Sequence, residues 1–175
     1  MITARTTSVD ETRALAAEVA PLAKPNDLVL LAGDLGAGKT AFVQGFARGL
    51  GVSEAVTSPA FVLARPYQGR LTLLHLDVYR LEHIQELHDL GISELLDDGG
   101  VTVIEWGDVV APALPADFLE VRMSPGDDDD ERLLSIRWVG SAWPPRAAAL
   151  RRVVAPWAVD GQAHGDRVQG DRTQP

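Results

Sequence analysis

The hydrophobic positions of this chain alternate between two periods, and the switches between them mark out its elements. Leu28 to Ala32 (LVLLA) is an apolar run with no polar break, the pattern of a parallel strand covered on both faces. Beyond it Phe42, Phe46 and Leu50 recur at helical spacing, and Gly51 offers a C-terminal cap. Upstream, residues 10–20 (DETRALAAEVA) are rich in helix formers, with Leu15 and Val19 on one face and Asp10 available as a cap. Pro21 and Pro25 end that helix, and Asn26 and Asp27 turn the chain into the strand.

Downstream, a turn at Thr57, Ser58 and Pro59 precedes a strand-like run from Phe61 to Ala64. The segment Leu71 to Leu81 (LTLLHLDVYRL) reads as an apolar strand closing on Asp77. A helical stretch from Glu82 to His88 and an acidic turn at Asp97 to Gly100 follow, and a second strand, VTVIEW, ends at Glu105. The final third changes character: Phe118 to Met123 and Arg132 to Val139 flank SPGDDDDE, which predicts two antiparallel strands joined by an acidic turn. Residues 144–152 suggest a short last helix. The pattern is α/β, with one domain over residues 1–152 and a disordered tail from residue 153.

Composition narrows the classes. A length of 175 residues allows one substantial core and is short for two ordinary domains. Hydrophobic residues at 46% and charged residues at 23% describe a globular chain. With no cysteine there is neither a disulfide framework nor a thiolate metal site. The apolar runs are too short to cross a bilayer and the start, MITARTTSVD, lacks a signal-peptide core, so a cytoplasmic location is expected. A net charge of −9 makes the chain a poor candidate to grip nucleic acid alone. Arg146, Arg151 and Arg152 read as a solvated helix face.

The chemistry concentrates at Gly33 to Thr40. GDLGAGKT fits G-x-x-x-x-G-K-[ST] at every fixed position. Gly33, Gly36 and Gly38 permit positive φ angles, so successive backbone N–H groups can turn inward into an anion-binding nest. Lys39 brings a cation to the β- and γ-phosphates of a nucleoside triphosphate, and the Thr40 hydroxyl is placed to ligate Mg²⁺. The preceding strand and following helix are the context this motif requires, with the helix N-terminus aimed at the phosphates. Asp77 and Glu105 each end a strand, at the edge where ligands bind in open α/β sheets. Metal binding and water positioning divide between these two carboxylates, and spacing does not say which does which. Thr57 and Ser58 lie in a loop suited to sensing the γ-phosphate. His75 reads as a packed or hydrogen-bonded histidine. His83 and His88 have poor metal-ligand spacing, and DDDDE lacks the alternation of a calcium loop.

Taken together, GDLGAGKT, TSPAF, LDVYRL, GISELL and VIEW, in this order over roughly residues 8–140, resemble the TsaE family, the ATPase subunit of bacterial tRNA threonylcarbamoyladenosine biosynthesis. The resemblance implies a P-loop NTPase with a mixed central sheet flanked by helices and a C-terminal antiparallel hairpin. It implies ATP and Mg²⁺ as ligands and slow hydrolysis. The implied partners are the tRNA threonylcarbamoyl transferase subunit and its dimerising companion, with tRNA met only through that complex. Matched residue by residue, it assigns nucleotide binding to Gly33, Leu35, Gly36, Ala37, Gly38, Lys39, Thr40, Ala41 and, on a looser match, Arg132. Thr40 and Glu105 become the Mg²⁺ ligands, Asp77 the water-positioning or γ-phosphate-sensing carboxylate, and Trp106 a neighbouring functional aromatic. Ala60 departs from the family pattern, which has a second threonine there.

Two other readings compete. A small-molecule kinase would carry the same loop, but no segment reads as the arginine-bearing lid that shields a transferred phosphoryl group. A GTP-dependent switch would use Asn-Lys-x-Asp to read guanine, and the one asparagine, Asn26, is followed by Asp27.

Overall fold

The computed structural model of this protein describes residues 1–59, 64–79, 96 and 98–159. Among the described residues seven strands form one sheet: β1 (Ile2–Thr6), β2 (Asp27–Ala32), β3 (Ala64–Tyr67), β4 (Leu73–Asp77), β5 (Val101–Glu105), β6 (Phe118–Pro125) and β7 (Arg132–Val139). The longer helical elements among the described residues are α1 (Val9–Val19), α2 (Lys39–Gly49), α3 (Gly107–Val110) and α4 (Ala147–Val154).

The strands lie in the order β1-β7-β6-β2-β5-β4-β3. β6, β2, β5 and β4 run parallel to one another, while β3 joins β4, and β7 joins both β6 and β1, antiparallel. The expected mixed sheet is therefore present, with β2 at its centre. Its run Leu28 to Leu31 alternates between two cores. Val29 and Leu31 meet Leu15, Phe42, Phe46 and Leu150 of α1, α2 and α4, whereas Leu28 and Leu30 meet Leu76, Ile104, Val110 and Phe118 on the opposite face. A strand buried on both faces has no polar positions to spare, which is why this one was legible as an unbroken apolar run.

α1 and α2 approach so closely at Gly45 that no side chain fits there. A Cβ on Gly45 would stand 2.1 Å from the Arg13 carbonyl oxygen, so glycine here sets how closely α2 approaches its neighbour. α2 ends as expected at Gly51, whose φ of 79° leaves the Val52 N–H bonded to the Ala47 carbonyl at 3.0 Å. α1 begins differently. Ser8, not Asp10, is its cap: Ser8 Oγ accepts from the Glu11 N–H at 3.2 Å, and Asp10 instead accepts from Arg13 Nη1 at 2.8 Å.

The expected hairpin is β6 and β7, paired from Phe118 with Val139 to Pro125 with Arg132. β4 is shorter than its apolar run, and β3 begins at Ala64, where the strand-like run was expected to end. Residues 61–63, the helical stretch Glu82 to His88, Ala60 and the tail from residue 160 lie outside the described residues. β1 was not foreseen. Its sequence, ITART, has one large apolar residue, and buried Thr6 is satisfied by a 2.8 Å hydroxyl contact with Thr12.

The C-terminal segment folds further than expected. α4 runs to Val154, Ala155–Trp157 forms a 3-10 turn, and the Val159 N–H bonds the Thr3 carbonyl at 3.0 Å beside a bridge from Ala158 to Ala4. Arg146, taken from sequence as part of a solvated face, is buried. Its guanidinium grips the Asp27 carboxylate through both terminal nitrogens, with Nη2 to Oδ1 at 2.9 Å, donates to the Leu22 carbonyl at 2.9 Å, and lies over the Trp143 ring. Among the described residues, no helix is long and apolar enough to cross a membrane.

Candidate nucleotide-binding site

β2 ends at Ala32, and the loop that follows turns through three left-handed glycines, Gly33 (φ 136°), Gly36 (80°) and Gly38 (101°), before α2 begins at Lys39. Gly33 is also enforced sterically, since a Cβ there would lie 2.2 Å from the Met123 carbonyl oxygen. The loop thus leaves the strand against β6 and delivers Lys39 and Thr40 at the first turn of α2, where unpaired N–H groups and the positive end of the dipole point outward.

Lys39 is buried, and its Nζ donates to the carbonyls of Gly33 at 2.6 Å and Asp34 at 2.8 Å. It also stands 3.5 Å from the centre of the Trp106 ring. Burial holds the ammonium pKa below its ordinary value, against the opposing pull of the Glu105 and Asp77 carboxylates. Trp106 takes a left-handed φ of 62° to bend β5 into α3, and its ring packs on Tyr79 at 4.8 Å.

The two strand-end carboxylates stand side by side, because β4 and β5 are parallel and pair Asp77 with Glu105. Both are buried. Thr40 Oγ1 donates to Glu105, 2.9 Å from Oε1 and 3.1 Å from Oε2. His75 Nε2 lies 2.9 Å from the same Oε1. Asp77 accepts from Ser58 Oγ at 2.6 Å and from the Tyr79 N–H at 3.1 Å. Each carboxylate therefore has its own hydroxyl.

These groups open onto a cleft of about 520 Å³, lined by Leu35 through Ala41, Ser58, Asp77, Tyr79, Glu105 and Trp106. Three residues singled out from sequence stand apart from it. Gly33 contributes its carbonyl to Lys39. Thr57 is exposed and exchanges backbone contacts with the Tyr67 hydroxyl at 3.3 Å. Arg132 lies behind the loop, donating to the Gly36 carbonyl at 3.2 Å, and borders a smaller cavity of about 130 Å³ with Val9, Thr12, Gly38, Ala41 and Asp130. Sequence reasoning missed Tyr79, Val9, Thr12 and Asp130. Tyr79 could have been suspected from its place two residues after Asp77; the others meet the loop only through the fold.

A hard cation suits the oxygen donors of Thr40 and Glu105. Among the described residues no group of three or more His, Asp or Glu side chains converges as a protein-only metal cage. Mg²⁺ bridging phosphates needs only one or two protein oxygens, so the pair fits it.

A glycine loop between a buried parallel strand and a helix, with lysine and threonine opening that helix and a carboxylate beside them on the next strand, defines a P-loop NTPase fold. The model of the family described as "Threonylcarbamoyl adenosine biosynthesis protein TsaE" matches residues 6–134, and this chain belongs to the TsaE family. It is 41% identical over 149 residues to the tRNA threonylcarbamoyladenosine biosynthesis protein TsaE of Bacillus subtilis, covering 85% of this chain and 92% of that protein. It is 47% identical over 108 residues to the protein of the same name in Treponema pallidum, covering 62% and 80% respectively. The crystal structure of Bacillus subtilis YdiB superposes with a TM-score of 0.75 at 36% identity, covering 87% of this chain and 97% of that one.

Proposed function

We propose that this chain is the ATP-binding and slowly hydrolysing component of the machinery that forms N6-threonylcarbamoyladenosine in tRNA. It works in the cytoplasm with the transferase subunit and its dimerising companion, and its turnover resets that complex between rounds. The observation that carries the reading is the convergence of Lys39, the Thr40–Glu105 pair and the Ser58–Asp77 pair on one cleft beside the glycine loop.

The residues divide the work as follows. Backbone N–H groups of Gly36, Gly38, Lys39 and Thr40 would wrap the phosphates, the Ala37 N–H being held by the Asp34 carbonyl at 3.1 Å, and Lys39 would turn its ammonium from the Gly33 and Asp34 carbonyls toward the β- and γ-phosphate oxygens. Thr40 and Glu105 would hold Mg²⁺, which, when bound, neutralises charge developing on the phosphate oxygens. Asp77, steered by Ser58, would orient the attacking water and take up its proton. Arg132, beside the small cavity bordered by Gly36 and Gly38, would lie near the bound nucleotide.

Slow basal turnover is part of this reading: among the described residues the cleft lining holds no arginine, and such a residue is worth about 10³ to 10⁵ in rate when a partner supplies it. The acidic balance of the chain, −9, is consistent with tRNA being held by the partners. The test is ATP hydrolysis by the purified chain, alone and with the two partner proteins. Slow turnover that rises with them is expected. Brisk turnover indifferent to them would overturn the reading and direct the search to the acceptor substrate of a kinase.

A further inference from the structure

His75 sits inside β4, fully buried, two residues before Asp77 and on the same face of the sheet. The division of roles just described leaves it without a task. Its Nε2 is 2.9 Å from Glu105 Oε1, and its Nδ1 is buried with no hydrogen-bond partner among the described residues. A carboxylate oxygen accepts, so the proton of this contact belongs to Nε2. A proton on Nδ1 would be stranded away from any acceptor.

The side chain of Glu105 has two donors among the described residues, Thr40 and His75. Thr40 cannot serve as the fixed anchor, because its oxygen is itself proposed to hold the metal and its hydroxyl is shared between both oxygens of the carboxylate. His75 approaches from inside the sheet, is locked by packing, and touches one oxygen only. Outer donors of this kind fix the orientation of a ligating carboxylate and thereby its affinity for the ion.

We propose that His75 is a positioning residue for the metal site: its Nε2–H pins Oε1 of Glu105 toward β4, so that the carboxylate meets the cleft in one orientation. This rests on the nucleotide-and-magnesium reading above.

The experiment titrates a fluorescent ADP analogue into the full chain across a range of Mg²⁺ concentrations and in EDTA. In His75→Leu the Mg²⁺ concentration for half-maximal effect rises about tenfold or more, while affinity in EDTA stays within about twofold of wild type. His75→Gln, whose side-chain N–H reaches the Nε2 position, recovers most of that loss. A merely structural histidine would lower the melting temperature in the Leu variant and leave its Mg²⁺ dependence unmoved, which would overturn the proposal. A measurement on the wild type alone guards against a variant that fails to fold. ¹⁵N NMR of the imidazole should show Nε2–H with a bare Nδ1, and the opposite tautomer would overturn the proposal equally. Wild-type protein whose ADP binding ignores Mg²⁺ would instead sink the underlying reading and this proposal with it. Wild-type dependence with an indifferent, folded Leu variant would remove only the role of His75.

Discussion

Asp77 and Glu105 are register partners on adjacent parallel strands, yet each is bound to a hydroxyl from a different segment, Ser58 for Asp77 and Thr40 for Glu105. Two buried carboxylates side by side repel unless each is engaged separately. Their separate partners allow the two proposed roles to be measured independently.

Glu105→Gln keeps the shape of the side chain, removes its charge and replaces one acceptor oxygen by a donor amide. Mg²⁺-dependent ATP turnover should fall on the order of 10²-fold, with ADP affinity in EDTA nearly unchanged. Unchanged turnover would return the metal to Asp77.

Ser58→Ala deletes the 2.6 Å contact to Asp77 without touching the glycine loop. Turnover should drop roughly tenfold as the carboxylate loses its orientation, while ADP affinity holds. Asp77→Asn should cost more, on the order of 10², because proton acceptance is lost as well. A comparable loss of ADP affinity in both variants would place both residues at the diphosphate instead.

Lys39→Met should weaken ADP binding by at least about tenfold, through loss of the phosphate cation. It also carries a pH signature. Burial lowers the folded-state pKa of Lys39 below its ordinary 10.5, so in the window beneath 10.5 the unfolded chain binds more protons than the folded one. Stability therefore gains with rising pH in that window. The melting temperature of wild type relative to Lys39→Met should climb as pH approaches 10.5. A flat difference would show that the carbonyls, Trp106 and the carboxylates offset burial entirely.

Arg146→Ala strands the buried Asp27 carboxylate at the far end of β2 from the cleft. Urea denaturation should report a loss of about 3 to 5 kcal/mol, with ADP affinity unaffected. A loss near zero would mean that Asp27 relaxes into solvent, its bond from the Lys24 N–H going with it.

Much of this protein is dictated locally. The unbroken run of β2, the helical spacing of α2, the glycine loop and the hairpin of β6 and β7 are visible in sequence because each is specified by residues close to one another. Burial on both faces forbids polar residues, three left-handed turns demand glycine, and a helix cap needs Gly51. The carboxylates at the ends of β4 and β5 were legible for the same reason.

What only the tertiary structure decided is which distant groups meet. β1 is a strand because β7, some 130 residues away, pairs with it; Arg146 is buried because Asp27 lies beneath it; and Ser58, not Thr57, reaches the cleft. His75 reads as an ordinary core histidine until β5 brings Glu105 to its Nε2. Periodicity and spacing record how a residue sits relative to its own element, while partnership across strands depends on sheet order and register. Those are fixed by the packing of the whole chain.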